Sequence, residues 1–299
     1  MKIGFHVIPT EQTATFVETA IAADERGFDS LSVGEHSHLP ISTKHFVYEE
    51  MPDLYKRCQD PIVLLAAAAS VTEKVRLITG VSLLAEHDPL LFAKQISTLD
   101  LVSNGRTIVG VGYGWNEPEM INRGLDPRKR RPIMREKVEA CKALWTKDVA
   151  GFDGEYVKFT ESWSYPKPIQ KPHPPLHLGS PASDYTFSQV AEWADGWMPV
   201  LAFSREELPI HVANMRQRVA DAGRDPRSVE VSLMSIPFTH EDVDWEGFEK
   251  YRPKRHTLER LHAADVQRVL IGLPLWPRDM MLRALDSMAD LVEIGAELA

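Results

Sequence analysis

Two cysteines in 299 residues, Cys58 and Cys141, leave no disulfide framework to read, and neither belongs to a C-x-x-C pair. Cys141 falls in a helical pattern and reads as a core thiol. Long hydrophobic runs are also missing. The longest, Ile62 to Ala69, is far too short to span a bilayer. Positive charge is in deficit: 34 Lys and Arg face 43 Asp and Glu, and a net charge of −9 argues against a general nucleic-acid surface. There is no internal repeat, no low-complexity tract, and no linker to mark a second domain. The start, Met-Lys-Ile-Gly-Phe-His, enters a strand pattern at once rather than the charged-then-apolar pattern of a secretory signal. A reducing cytoplasm is the expected location.

What is present is a rhythm. Lys2 to Val7 reads as a strand, and Thr13 to Arg26 as a helix stopped by Gly27. Ser30 to Val33 is a second strand. Pro61 to Thr72 is a helix with proline in its first turn. The alternation continues through Arg76–Leu84, Leu90–Val102, Thr107–Gly112 and Ile133–Trp145. It pauses at Phe152–Phe159, where Asp153-Gly154 signals a hairpin, and at a proline-rich stretch from Pro166 to Pro175. It resumes with strands at Leu176, Gly196, Val229 and Val266, and closes on a helix predicted over Pro277–Ile294. Eight strands, most followed by a helix, imply a parallel α/β sheet. At this length they fit one (β/α)8 TIM barrel domain over 1–299, with a small hairpin excursion near 151–160, better than an open sheet.

A barrel places its site at the C-terminal strand ends. Two long loops, Leu39–Asp60 and Pro237–Thr257, overhang that face. The most telling stretch is Leu77 to Glu119, a strand–helix–strand unit whose strands end in glycine and serine. Small residues there are expected to let a flat ligand approach the backbone. Gly112 and Gly114 clear space, and Tyr113 and Trp115 wall it. The trio Gly110-x-Gly112-x-Gly114 does not complete a G-x-G-x-x-G dinucleotide template, because Glu117 and Pro118 follow.

Glu35-His36-Ser37-His38 closes the second strand and offers an imidazole able to exchange protons near neutrality, or half of a metal site that lacks a second ligand cluster. Gly179 to Ser183 runs from a strand into a helix, where exposed amides suit a phosphate and Ser183 suits a plain N-cap. Arg128-Lys129-Arg130-Arg131, with Arg123 nearby, precedes a helix N-terminus. Those cations are either solvated or meet an acidic ligand tail. Trp163, Trp197 and Trp276 could line a pocket or simply pack.

These motifs together resemble the bacterial luciferase-like family of barrel oxidoreductases, specifically the branch that uses the deazaflavin coenzyme F420. The resemblance spans nearly the whole chain. It rests on Val33-Gly-Glu-His36, Thr79-Gly-Val-Ser-Leu83, Gly110-Val-Gly-Tyr-Gly-Trp-Asn-Glu117, Arg135-Glu136, the Phe152–Phe159 hairpin, Pro174-Pro-Leu-His-Leu-Gly179 and Ala194-Asp-Gly-Trp197.

The resemblance implies hydride transfer between F420 and a small organic substrate, with His36 and Glu35 as catalytic residues. The ring would lie against Thr79, Gly80, Val81, Ser82 and Leu83, and against Gly112, Tyr113, Gly114, Trp115 and Asn116. Gly179 and Ser180, with Pro181, would hold the phosphate. A non-prolyl cis peptide, placed by motif match at Ser82–Leu83, would back the ring. A homodimer is implied; a nucleic-acid partner, a membrane partner and a metal are not. In some deazaflavin dehydrogenases of this family a Glu follows the fourth strand. Here Trp115 holds that place and Glu117 is nearby but shifted, so proton transfer is expected to fall mainly to His36. The alternatives are an FMN-dependent monooxygenase fed by a separate reductase, a non-catalytic flavin-binding protein, and a metal hydrolase.

Overall fold

The computed structural model describes residues 1–44, 49–199, 206–235, 243–274 and 276–299. Within them lie ten strands: β1 (Lys2–Val7), β2 (Ser30–Val33), β3 (Arg76–Ser82), β4 (Thr107–Gly112), β5 (Val149–Asp153), β6 (Lys158–Trp163), β7 (Leu176–Gly179), β8 (Gly196–Met198), β9 (Glu230–Ser235) and β10 (Arg268–Gly272). Eight of them close into a barrel in the order β1-β10-β9-β8-β7-β4-β3-β2, and every barrel pairing is parallel. This is the expected (β/α)8 architecture. Among the described residues no helix is long and apolar enough to cross a membrane.

The excursion is the antiparallel pair β5–β6, somewhat longer than the turn signal suggested. Its tip is tied to the barrel by Glu136, whose carboxylate accepts from the amides of Glu155, Tyr156 and Val157 at 2.8, 2.8 and 2.9 Å. Gly154 is required there, because a Cβ would sit 2.3 Å from Glu136 Oε2. The predicted last helix is two, Arg278–Ser287 and Ala289–Glu297, meeting at Met288. A short helix that hydrophobic periodicity does not reveal, Glu117–Asn122, follows β4.

The interior carries a small apolar plug of Ile78, Ile108, Met198, Met234 and Leu270, with Val81 packed on it. The larger core lies between the barrel wall and the helices. At the N-terminal strand ends, Arg268 is fully buried. It donates to Asp29 Oδ2 at 2.9 Å and is paired with Glu230, which also meets Lys2 and accepts from Ser232 Oγ at 3.0 Å. His177, predicted to lie inside its strand, is buried beside this network, with Nδ1 3.5 Å from Ser232 Oγ.

Candidate active site

β2, β3 and β4 are neighbours in the barrel, so their C-terminal ends open onto one sector of the mouth. Gly114, at φ +77°, turns the chain after β4 into the Glu117–Asn122 helix. That helix aims Glu119 back at the end of β2. His36 Nδ1 lies 2.7 Å from Glu119 Oε2, with the two side chains 7% and 0% exposed. The Ser37 amide donates to Glu119 Oε1 at 3.0 Å, and Asn116 Nδ2 to Oε2 at 3.3 Å. Trp115 Nε1 donates to His36 Nε2 at 3.2 Å. An indole N–H is only a donor, so Nε2 is unprotonated and the imidazole proton sits on Nδ1, facing the carboxylate. Tyr55 packs edge-on against the same ring, 5.5 Å between centroids. Burial works against the charge of Glu119, but the hydrogen bonds from His36, Ser37 and Asn116 outweigh it and hold the carboxyl below its usual range.

Glu119 is the partner of His36 that reading the sequence misses. Glu117, the nearer acidic candidate, is exposed and faces Arg130 at 3.6 Å. Glu35 is turned to the β3 exit, where it accepts from the Leu83 amide and pairs with His87 Nε2, both at 2.7 Å. Its geometry is that of a positioning residue for the β3 loop, and the partner of His36 is Glu119 instead. Asn116 is buried, bonded to Glu119 and to Thr43, so it supports the pair from behind. His38 contacts Ser37 and Asn122 at 2.9 and 3.2 Å, and among the described residues no group of three or more His, Cys, Asp or Glu could hold a metal.

A third buried carboxyl, Glu86, lies behind this pair. Arg123 reaches its Oε2 at 3.3 Å, and its Oε1 has no hydrogen-bond partner. Burial, and then the charge of Glu119, push it up to about 8 against the pull of Arg123. An unfolded carboxyl ionises near 4.5, so between pH 4.5 and 8 the unfolded chain sheds a proton that the folded chain keeps. Stability falls across that window, by at most about 1.4 kcal/mol per pH unit. Glu86→Gln is expected to flatten this slope. Urea unfolding of both proteins at pH 5, 6.5 and 8 checks it, and parallel pH dependence in the two would refute it. Cys58, whose thiol donates to the His36 carbonyl at 3.0 Å, is raised by burial to about 11 and stays protonated at neutral pH.

The glycines need a correction. A Cβ on Gly110 would meet Thr79 O at 2.2 Å and Met198 Sδ at 2.9 Å. On Gly112 or Gly179 it would meet Val81 Cγ atoms at 2.6 and 2.4 Å. The room these residues leave is filled by the protein itself, chiefly by Val81. The cis peptide is Gly80–Val81, not Ser82–Leu83. It falls inside the register shift of β3 between Thr79 and Ser82, where Gly80 lies so close to Ser32 that a Cβ would come within 1.7 Å of its Oγ. Val81 is thereby lifted half-exposed onto the apolar plug, while Thr79 is buried and donates to Gly110 O at 2.7 Å. Ser82 Oγ is buried without a partner, and Leu83 is buried.

At the end of β7, Ser183 caps the Asp184–Trp193 helix by accepting from the Thr186 amide at 3.1 Å. Ser180 Oγ is 3.0 Å from Thr186 Oγ1, and Ser180 O accepts from Trp197 Nε1 at 3.0 Å. The side chain and carbonyl of Ser180 are therefore engaged internally. A ligand here would meet backbone amides, and Pro181 has none to offer. Trp197 and Trp276 are buried packing residues, and Trp163 is 78% exposed on the hairpin, so none is the pocket wall considered above. Of the two overhanging loops, residues 45–48 and 237–242 lie outside the described residues.

The sequence profile of the luciferase-like monooxygenases matches residues 3–297. A Mycobacterium tuberculosis protein, Rv0953c, described only as uncharacterized, is 39% identical over 244 residues, covering 79% of this chain and 86% of its own. An FMNH2-dependent dimethylsulfone monooxygenase from Pseudomonas putida is 32% identical over 139 residues, 45% of this chain and 38% of its own. Among solved structures, an F420-dependent secondary alcohol dehydrogenase in complex with an F420–acetone adduct superposes with a TM-score of 0.77 at 20% identity, covering 98% of both chains.

Proposed function

From the premise that the chain belongs to the luciferase-like monooxygenase family, which holds both F420- and FMN-dependent oxidoreductases, we propose that it is an F420-dependent oxidoreductase acting on a small substrate that carries a hydroxyl or carbonyl group. The observation that carries this reading is the His36–Glu119 pair at the barrel mouth.

The residues present fit a planar coenzyme. Val81 offers a half-exposed aliphatic floor over the plug, Ser82 Oγ is a buried polar atom without a partner, and the amides of the β7 exit face the same sector as the end of β4. When bound, such a coenzyme supplies the hydride chemistry. This chain handles the proton. Loss of a hydride from an alcohol leaves a hydroxyl proton to be removed. His36 Nε2, carrying a lone pair, accepts it after exchanging its hydrogen bond to Trp115 for one to the substrate oxygen. Glu119 then faces an imidazolium and stabilises it. In the reverse direction the same atom returns the proton to a carbonyl oxygen.

Titration of the purified protein with F420 and with FMN, followed by absorbance and fluorescence, tests the reading. Saturable F420 binding at micromolar levels, with reduction by a panel of small alcohols, is the expected result. Selective FMN binding with oxygen consumption by the reduced complex would replace it with a monooxygenase.

A further inference from the structure

Arg123, Arg128 and Arg130 are each matched to a carboxylate: Glu86 at 3.3 Å, Asp126 at 2.8 Å and Glu117 at 3.6 Å. Arg131 is different. Among the described residues it has no ion pair and no hydrogen-bond partner. Its guanidinium lies instead over two aromatic rings, 4.4 Å from the Tyr185 centroid and 5.8 Å from that of Tyr113. Those rings come from two different strand exits. Tyr113 directly follows Gly112, and Tyr185 sits in the first turn of the helix after β7. Gly112 and Gly179 are paired in the sheet. Arg131 therefore bridges the two segments that flank the amide-lined turn at Gly179–Ser183.

The fold gives no reason for this placement. Arg131 stands in the first turn of the Arg130–Thr146 helix, where positive charge opposes the helix dipole, and Lys129 provides no side-chain cap. Stacking on Tyr185 fixes the plane of the guanidinium and leaves its N–H edge for a planar anion. The Tyr113 hydroxyl is buried, with the Tyr185 side chain its neighbour. An exposed guanidinium that meets no carboxylate, seated over two tyrosines in a chain of net charge −9, is a feature that an anionic ligand explains.

We propose that Arg131, seated on Tyr185 and Tyr113, is a carboxylate-binding subsite for the anionic tail of the coenzyme, beyond the phosphate turn. It thereby selects a coenzyme whose tail carries several carboxylates over one that ends in a single phosphate. This rests on the F420 reading above.

The test compares F420 bearing an oligoglutamate tail with a truncated form that keeps the deazaflavin ring and the phosphate but lacks the glutamates. Each is titrated against wild type, Arg131→Met and Arg131→Lys at 50 and 300 mM salt. The tailed form is expected to bind wild type about tenfold or more tightly than the truncated form. That advantage should vanish in Arg131→Met, survive in part in Arg131→Lys, and shrink in high salt. The truncated form should bind all three proteins alike, which shows that the ring site is intact. An equal tail advantage in wild type and Arg131→Met would overturn the proposal while leaving the F420 reading standing. If neither deazaflavin binds, that reading fails on its own. A γ-linked triglutamate titrated by calorimetry then decides the subsite: binding to wild type but not to Arg131→Met supports it, and equal or absent binding overturns it.

Discussion

Replacing His36 with alanine is expected to lower turnover about 100- to 10,000-fold, the range that a positioned general acid–base supplies, while coenzyme affinity changes by no more than about threefold. The asymmetry follows from the geometry. The imidazole is held edge-on by Trp115 and Tyr55, and its Nδ1 proton is committed to Glu119, so its one available function is at Nε2. A companion variant separates the proton from the charge behind it. Glu119→Gln keeps an acceptor for Nδ1 but removes the negative charge that stabilises the imidazolium. It should cost about tenfold in kcat and move the acidic limb of the alcohol-oxidation profile to lower pH. Stopped-flow reduction of the coenzyme across pH 5–9 reads both. Unchanged turnover in His36→Ala would remove the assigned role.

The largest stability effect is expected at the opposite end of the barrel. Arg268 is fully buried between Asp29 and Glu230. Arg268→Met removes the cation and leaves Glu230 without it, which should cost about 3–5 kcal/mol and about 5–8 °C in Tm. Burial alone would raise Glu230, but Arg268 first, then His177 and Lys2, hold it at about 2 instead of the usual 4.5. A depressed folded value means that its contribution is complete above pH 4.5 and is lost as pH falls towards 2. The variant should therefore lose most relative to wild type at neutral pH, and the gap should narrow in acid. Adding Glu230→Leu to Arg268→Met should recover a large part of the loss, since the unmatched carboxylate is then gone. Thermal unfolding at pH 3 and pH 7 checks both points. A gap that widens in acid, or no recovery in the double variant, would count against this account.

The barrel was legible because each of its strands is a short apolar run and several helices carry their own start signal. Asp60, Ser183 and Asp88 all cap as their sequence context suggests. The location of His36 was legible for a related reason, since a strand end in a barrel is a place in space as well as in sequence. Its partner was not. Adjacency along the chain drew attention to Glu117, but two residues on a helix are roughly 200° apart, and it is Glu119 that turns inward while Glu117 faces Arg130.

The glycines misled in another way. A missing Cβ announces that something comes close, but not what. Around Gly112 and Gly179 the close neighbour is Val81. The cis bond was misplaced by two residues because motif matching cannot see the register shift in β3. Of the four consecutive cations at 128–131, the sequence could not say which were already matched. Only the distances show that Arg128 and Arg130 are matched, to Asp126 and Glu117, and that Arg131 lies over Tyr185.

That one valine has a consequence for how such an enzyme could diverge. The bare main chain at Gly112 and Gly179, on β4 and β7, is upholstered by a single branched side chain, so a flat molecule seated there would rest on two methyl groups. Exchange of that position for alanine or isoleucine is a one-codon route to lowering or raising the seat, with the surrounding wall left untouched.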